Sequence, residues 1–79
     1  MAAELQSARQ VVGERVRERR EAAGLTQAEL AQRVYVSRQT VNNWETGKTL
    51  IDVQSLALVA DELGTSASEL LGEHGTSAV

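Results

Sequence analysis

Apolar positions recur every three or four residues along most of this 79-residue chain, and no stretch alternates strictly between apolar and polar. That period belongs to helices with one buried face, so the pattern predicts an all-α fold: a compact bundle of about five short helices. Leu5, Val12 and Val16 lie on one side of a long first helix near Ala3–Ala22, with Gly24 just past its end. Leu30, Ala31 and Val34 form a narrow stripe on a second helix, and Val36 follows in a turn. Val41 and Trp44, three apart, mark the inner face of a third. Ala31 falls where the second and third helices approach most closely, and its small side chain permits the approach. Val53, Leu56, Ala57, Ala60 and Leu63 predict the inner stripe of a fourth helix, and a short fifth carries Leu70 and Leu71.

Cap residues punctuate this pattern. Thr26 with Glu29 reads as a capping box opening the second helix, and Ser66 with Glu69 as another opening the fifth. Ser37 is placed to cap the third helix and Asp52 the fourth. Gly47 stands where the third helix needs a left-handed C′ residue, and Gly64 and Gly72 stop the fourth and fifth. The chain has no proline. These signals predict one domain over residues 1–72, with a helix-turn-helix at about 26–46. Residues 73–79 form a small, polar, loose tail. There is no internal repeat, low-complexity segment or interdomain linker.

The third helix carries the chemistry. With Val41 and Trp44 turned inward, Arg38, Gln39, Thr40, Asn42 and Asn43 turn outward. Arginine can grip guanine O6 and N7 together, and glutamine or asparagine can grip adenine N6 and N7, so this row suits a major groove. A merely solvated face is the commoner explanation for a polar helix side. Such a face usually carries Glu/Lys pairs at i,i+4 spacing; this one carries none, and its single charge is Arg38. It also follows a short turn after a capped helix, as a helix-turn-helix requires.

The segments Gly24-Leu25-Thr26-Gln27, Glu29-Leu30-Ala31, Val36-Ser37-Arg38-Gln39-Thr40-Val41, Trp44-Glu45 and Gly47-Lys48 resemble the phage-repressor and Cro type (XRE-like) of helix-turn-helix regulators. The resemblance covers roughly residues 9–72. It implies a lambda-repressor-like DNA-binding domain and assigns roles. Arg38 and Gln39 are the main base readers; Asn43, one turn along, reaches a further base or a phosphate, and Thr40 lies nearer the DNA backbone. Gln27 binds a phosphate and steadies the reading helix. Thr26, Ser37, Asn42, Thr46 and Lys48 are further phosphate contacts. Arg20 and Glu45 form a buried or half-buried ion pair between the first and third helices. The family often has glycine where this chain has Tyr35. A non-glycine residue there meets φ > 0 at a cost of about 1 kcal/mol or more, and its hydroxyl is either a phosphate donor or simply a cover for the turn.

Charge opposes this reading at first sight, because the net value is −3 and DNA-binding domains are often basic. The distribution answers in part. All eight Lys and Arg lie at or before Lys48, against six acids, for +2; from Ile51 onward there are five acids and no base. Arg15, Arg17, Arg19 and Arg20 cluster, but Glu14, Glu18 and Glu21 interleave with them. Enzymatic function is not expected: the one histidine, His74, falls in the tail, and there is no phosphate-binding glycine loop. No metal or cofactor is called for. The absence of cysteine, of a signal-peptide core and of any long apolar run fits the cytoplasm.

One reading helix grips about half of a typical operator, so the mechanism implies a homodimer with reading helices about 34 Å apart. Leu50, Ile51 and Leu71 are the candidate dimer patch, whereas Leu70 is better read as core. The expected function is a sequence-specific regulator of transcription on double-stranded DNA, a repressor on a palindromic operator. The alternatives are an antitoxin or controller protein with a cognate partner from a two-gene module, or a protein-interaction module without DNA binding.

Overall fold

The computed structural model describes residues 2–72, with side chains from residue 8 onward. Leu5's side chain, the tail 73–79 and His74 therefore lie outside the described residues. Five helices follow in order: α1 (Ala2–Ala22), α2 (Gln27–Arg33), α3 (Arg38–Glu45), α4 (Val53–Glu62) and α5 (Ala67–Leu71). Among the described residues there is no strand. α3 packs against both α1 and α2, and α5 closes against α1 and α4. One core joins all five: Val12 and Val16, Leu30, Ala31 and Val34, Val41 and Trp44, Ile51, Leu56, Val59, Ala60 and Leu63, and Leu70. Leu25, Val36 and Ala67 pack around its edge.

The caps are made by the side chains expected to make them. Thr26 Oγ1 accepts from the Glu29 N–H at 3.0 Å while Glu29 Oε1 accepts from the Thr26 N–H at 2.8 Å. Ser37 Oγ accepts from the Thr40 N–H at 3.1 Å, and an Asp52 carboxylate oxygen from the Ser55 N–H at 2.6 Å. The second capping box is only half formed. Ser66 Oγ takes the Glu69 N–H, but the Glu69 carboxylate does not return to Ser66. It is captured by Arg19 of α1 at 2.7 Å and by the Thr65 hydroxyl, partners that a charged acceptor prefers to one more backbone amide.

Two expectations need correction. The buried face of α4 is Ser55, Leu56, Val59, Ala60 and the following Leu63; Ala57 is exposed and Val53 is 83% exposed. The helix is rotated from the expected stripe because Ser55 can be buried. Its hydroxyl donates to Asp52 at 3.1 Å, which meets its polar demand locally. Ile51, expected in a surface patch, is 6% exposed and belongs to the core. The segment between α3 and α4 turns Ile51 inward and leaves its neighbour Leu50 outward.

The α2–α3 turn is a left-handed helix stop. Tyr35 has φ +64°, the one positive value on a non-glycine residue among the described residues. The Val36 N–H then reaches back to the Ala31 carbonyl at 3.0 Å. This closure sets the angle at which α3 leaves α2.

Candidate nucleic-acid interface

α3 presents its polar row on a fixed support. Val41 and Trp44 are buried beneath it, and Glu45 is buried at its end. The structure brings Arg20 and Glu45 together in a bidentate pair: Arg20 Nε and Nη2 donate to the two Glu45 carboxylate oxygens at 2.7 and 3.0 Å. Arg20 Nη1 also donates to the Leu25 carbonyl at 2.8 Å, so the guanidinium ties α1, the α1–α2 loop and α3 together. The hydrogen bond to Glu45 raises the Arg20 pKa above its ordinary value, against the opposing effect of burial. Gln27, the first residue of α2, extends this network. Its Nε2 donates to Glu45 Oε1 at 3.0 Å and to Asn42 Oδ1 at 3.3 Å, which commits both amide hydrogens inside the protein.

The base-reading candidates line up along the outer face. Arg38 and Gln39 are exposed, and Thr40, Asn42 and Asn43 are partly buried. Arg38 Nη1 lies 3.4 Å from Gln27 Oε1, a weak tether. Gln39 Nε2 donates to Asn43 Oδ1 at 3.0 Å, which leaves Gln39 Oε1 and Asn43 Nδ2 as an outward acceptor and donor. The hydroxyls are more occupied. Ser37 and Thr40 share a hydrogen bond at 2.9 Å within the cap, and Thr46 Oγ1 donates back to the Asn42 carbonyl at 2.9 Å. Thr26 and Lys48 are exposed, and Tyr35 is 84% exposed. Beside α3 an open polar groove is lined by Arg17, Gln27, Asn42 and Thr46 among others.

The ion pairs sort the charges. Arg17 pairs with Glu21, Arg19 with Glu69, Arg20 with Glu45 and Arg33 with Glu62. Arg38 and Lys48, at opposite ends of α3, have no carboxylate within ion-pair distance among the described residues. Glu45, the one acid of α3, points inward. A chain with net charge −3 therefore keeps uncompensated positive charge on this face. Leu50 and Leu71 of the expected dimer patch are 54% and 52% exposed.

Two residues here were not singled out from the sequence: Arg9, which donates to the Lys48 carbonyl at 3.2 Å, and Gly13, which α3 approaches closely. Only Gly13 carried a signal, since an isolated glycine inside a helical pattern usually has a packing reason.

A capped α2, a left-handed turn and an α3 with a buried inner face and a polar outer row define a helix-turn-helix. A family model described as helix-turn-helix matches residues 16–70, and the chain belongs to that family. The HTH-type transcriptional activator BcrR of Enterococcus faecalis is 34% identical over 58 residues, 73% of this chain and 28% of BcrR. The chain thus spans under a third of that relative's length. Among solved structures, the clp gene regulator ClgR of Corynebacterium glutamicum matches with a TM-score of 0.79 and 31% identity over 89% of this chain and 74% of that one. The P22 c2 repressor, in complex with a synthetic operator, matches with a TM-score of 0.76 and 33% identity over 80% of this chain and 96% of that one.

Proposed function

We propose that this chain binds double-stranded DNA through α3 in the major groove and acts as a sequence-specific regulator of transcription in the cytoplasm. The observation that carries the proposal is the outward row Arg38, Gln39, Asn43 on a helix whose inner face is locked by Val41, Trp44 and the Arg20–Glu45 pair. A rigid support matters because base hydrogen bonds tolerate only a few tenths of an ångström. Arg38 and Gln39 read bases at one end, Asn43 reads at the other, and Thr40 sits nearer the backbone. Lys48, Thr26, Ser37, Asn42, Thr46 and Tyr35 face phosphates. Gln27 acts first as a strut, since its amide hydrogens are already held by Glu45 and Asn42.

Two copies on a palindromic operator, joined through a patch that includes Leu50 and Leu71, complete the reading, with residues 1–72 as the domain. The domain acts by binding, and its simplest effect is repression by covering a promoter. The activator named among the relatives favours a second version, in which the same DNA grip holds a partner at the promoter and raises transcription.

The test is selection of bound duplexes from a random pool at low and moderate salt. An enriched palindrome with half-sites about one turn apart is expected. Absence of enrichment even at low salt overturns the proposal in favour of a protein-interaction module.

A further inference from the structure

We propose that Gly13 is a positioning residue for base reading: by lacking a side chain it lets the last turn of α3 rest directly on α1, and so sets the placement of the Asn43 end of the reading helix. The proposal rests on DNA reading by α3 as argued above.

Glycine inside a helix is less stable than alanine, so its presence within α1 needs a cause. A Cβ built on Gly13 would lie 2.2 Å from the Trp44 carbonyl oxygen and 3.0 Å from that of Glu45. Both are main-chain atoms, which cannot rotate away. The neighbouring α1 residues clasp the same turn. Arg9 Nη1 donates to the Lys48 carbonyl at 3.2 Å, and a Cβ on Gly47 would lie 3.0 Å from Gln10 Cγ. Arg9, Gln10 and Gly13 thus form one seat for the segment Trp44–Lys48.

The other end of α3 is held separately. Ser37 caps it, and Val41 sits in the core against α2. A methyl group at position 13 must therefore push the far end by about 1 Å to reach an ordinary contact, pivoting the helix about its capped end. Asn43 and Lys48 move; Arg38 and Gln39 move less. Because hydrogen-bond geometry is steep, the loss falls on the base pairs that Asn43 reads.

The experiment compares sequences selected from a random duplex pool by the unaltered chain, Gly13→Ala, Arg9→Ala and Asn43→Ala, with a thermal melt of each. Folded Gly13→Ala is expected to keep its preference at the Arg38 end and lose about tenfold discrimination at the positions that Asn43→Ala also relaxes. An unchanged base profile in folded Gly13→Ala overturns the proposal. If Gly13→Ala melts below the assay temperature, Arg9→Ala decides, because that exposed side chain can be removed without a clash. Weakened preference at the same positions supports the seat. No change, or an equal loss on all sequences as for a phosphate contact, overturns it. If the unaltered chain enriches no sequence, the DNA reading fails, and this inference with it.

Discussion

Glu45 shows how much one side chain organises. Its two oxygens receive Arg20 and Gln27, so a single carboxylate joins α1, α2 and α3 beneath the polar row of α3. Breaking a buried pair leaves an uncompensated charge, whereas replacing both partners with apolar groups is often neutral. Glu45→Ala is therefore expected to cost about 3–5 kcal/mol in a denaturant titration, and Arg20→Met with Glu45→Leu should recover most of it. Under the DNA-reading proposal the double variant still binds its operator more weakly than the unaltered chain, since Gln27 has lost an acceptor. Equal affinity at equal stability counts against the strut role. Tyr35 carries a different strain. The left-handed conformation costs a non-glycine residue about 1–2 kcal/mol, and glycine's freer unfolded chain returns part of that. Tyr35→Gly should stabilise by about 0.5–1 kcal/mol and raise Tm by a few degrees; a lower Tm means the ring contributes packing despite its exposure.

At the scale of elements, α2, α3 and α5 have seven, eight and five residues, too short to persist alone. Caps and packing hold them. Two carboxylates, the α4 cap Asp52 and the α5 residue Glu69, also make the fold pH-sensitive. The Ser55 backbone N–H, followed by the Ser55 hydroxyl, holds Asp52 below the usual carboxylate range. The Thr65 hydroxyl, followed by Arg19, does the same for Glu69. A depressed folded pKa adds stability that is present above the ordinary carboxylate value, about pH 4, and is lost as pH falls through the folded value. Melting temperature should therefore fall as pH drops from about 4 toward 2. Asp52→Asn keeps a capping side chain without a titrating charge, so circular-dichroism melts should show a smaller acid-induced drop than in the unaltered chain. An identical drop removes Asp52 from this account.

Over the whole molecule, charge is partitioned rather than abundant. Four arginines are held by carboxylates, two of them across to α4 and α5, so the acidic C-terminal half neutralises the back of the domain. Arg38 and Lys48 remain without a carboxylate partner at the two ends of α3, among the described residues. Under the DNA-reading proposal, binding that neutralises few phosphates should be weak, with a shallow dependence on salt. Each contact contributes about −0.9 to the slope of log K against log salt, so Lys48→Ala should flatten that slope by about one contact per half-site while leaving base preference intact. A loss of base preference instead would make Lys48 a reader. Among the described residues no helix is long and apolar enough to cross a membrane.

α3, α2 and their caps were legible because each signal is local. A cap and the amide it serves lie three residues apart, and Val41 and Trp44 mark one face by spacing alone. The same locality explains the left-handed Gly47, whereas the positive φ at Tyr35 was expected only from the family resemblance. What the tertiary structure decided involves partners far apart in the chain. Glu69 leaves its expected cap for Arg19, fifty residues away. α4 turns the face of Ser55, Leu56, Val59 and Ala60 inward, against a core built from the other helices. Ile51 enters the core although Leu50 beside it does not, and Gly13 matters only because the carbonyls of Trp44 and Glu45 come down upon it. Periodicity tells that a helix has a buried side. Which of several similar apolar stripes is chosen, and how closely two backbones meet, depends on shape and charge that only the folded neighbours supply.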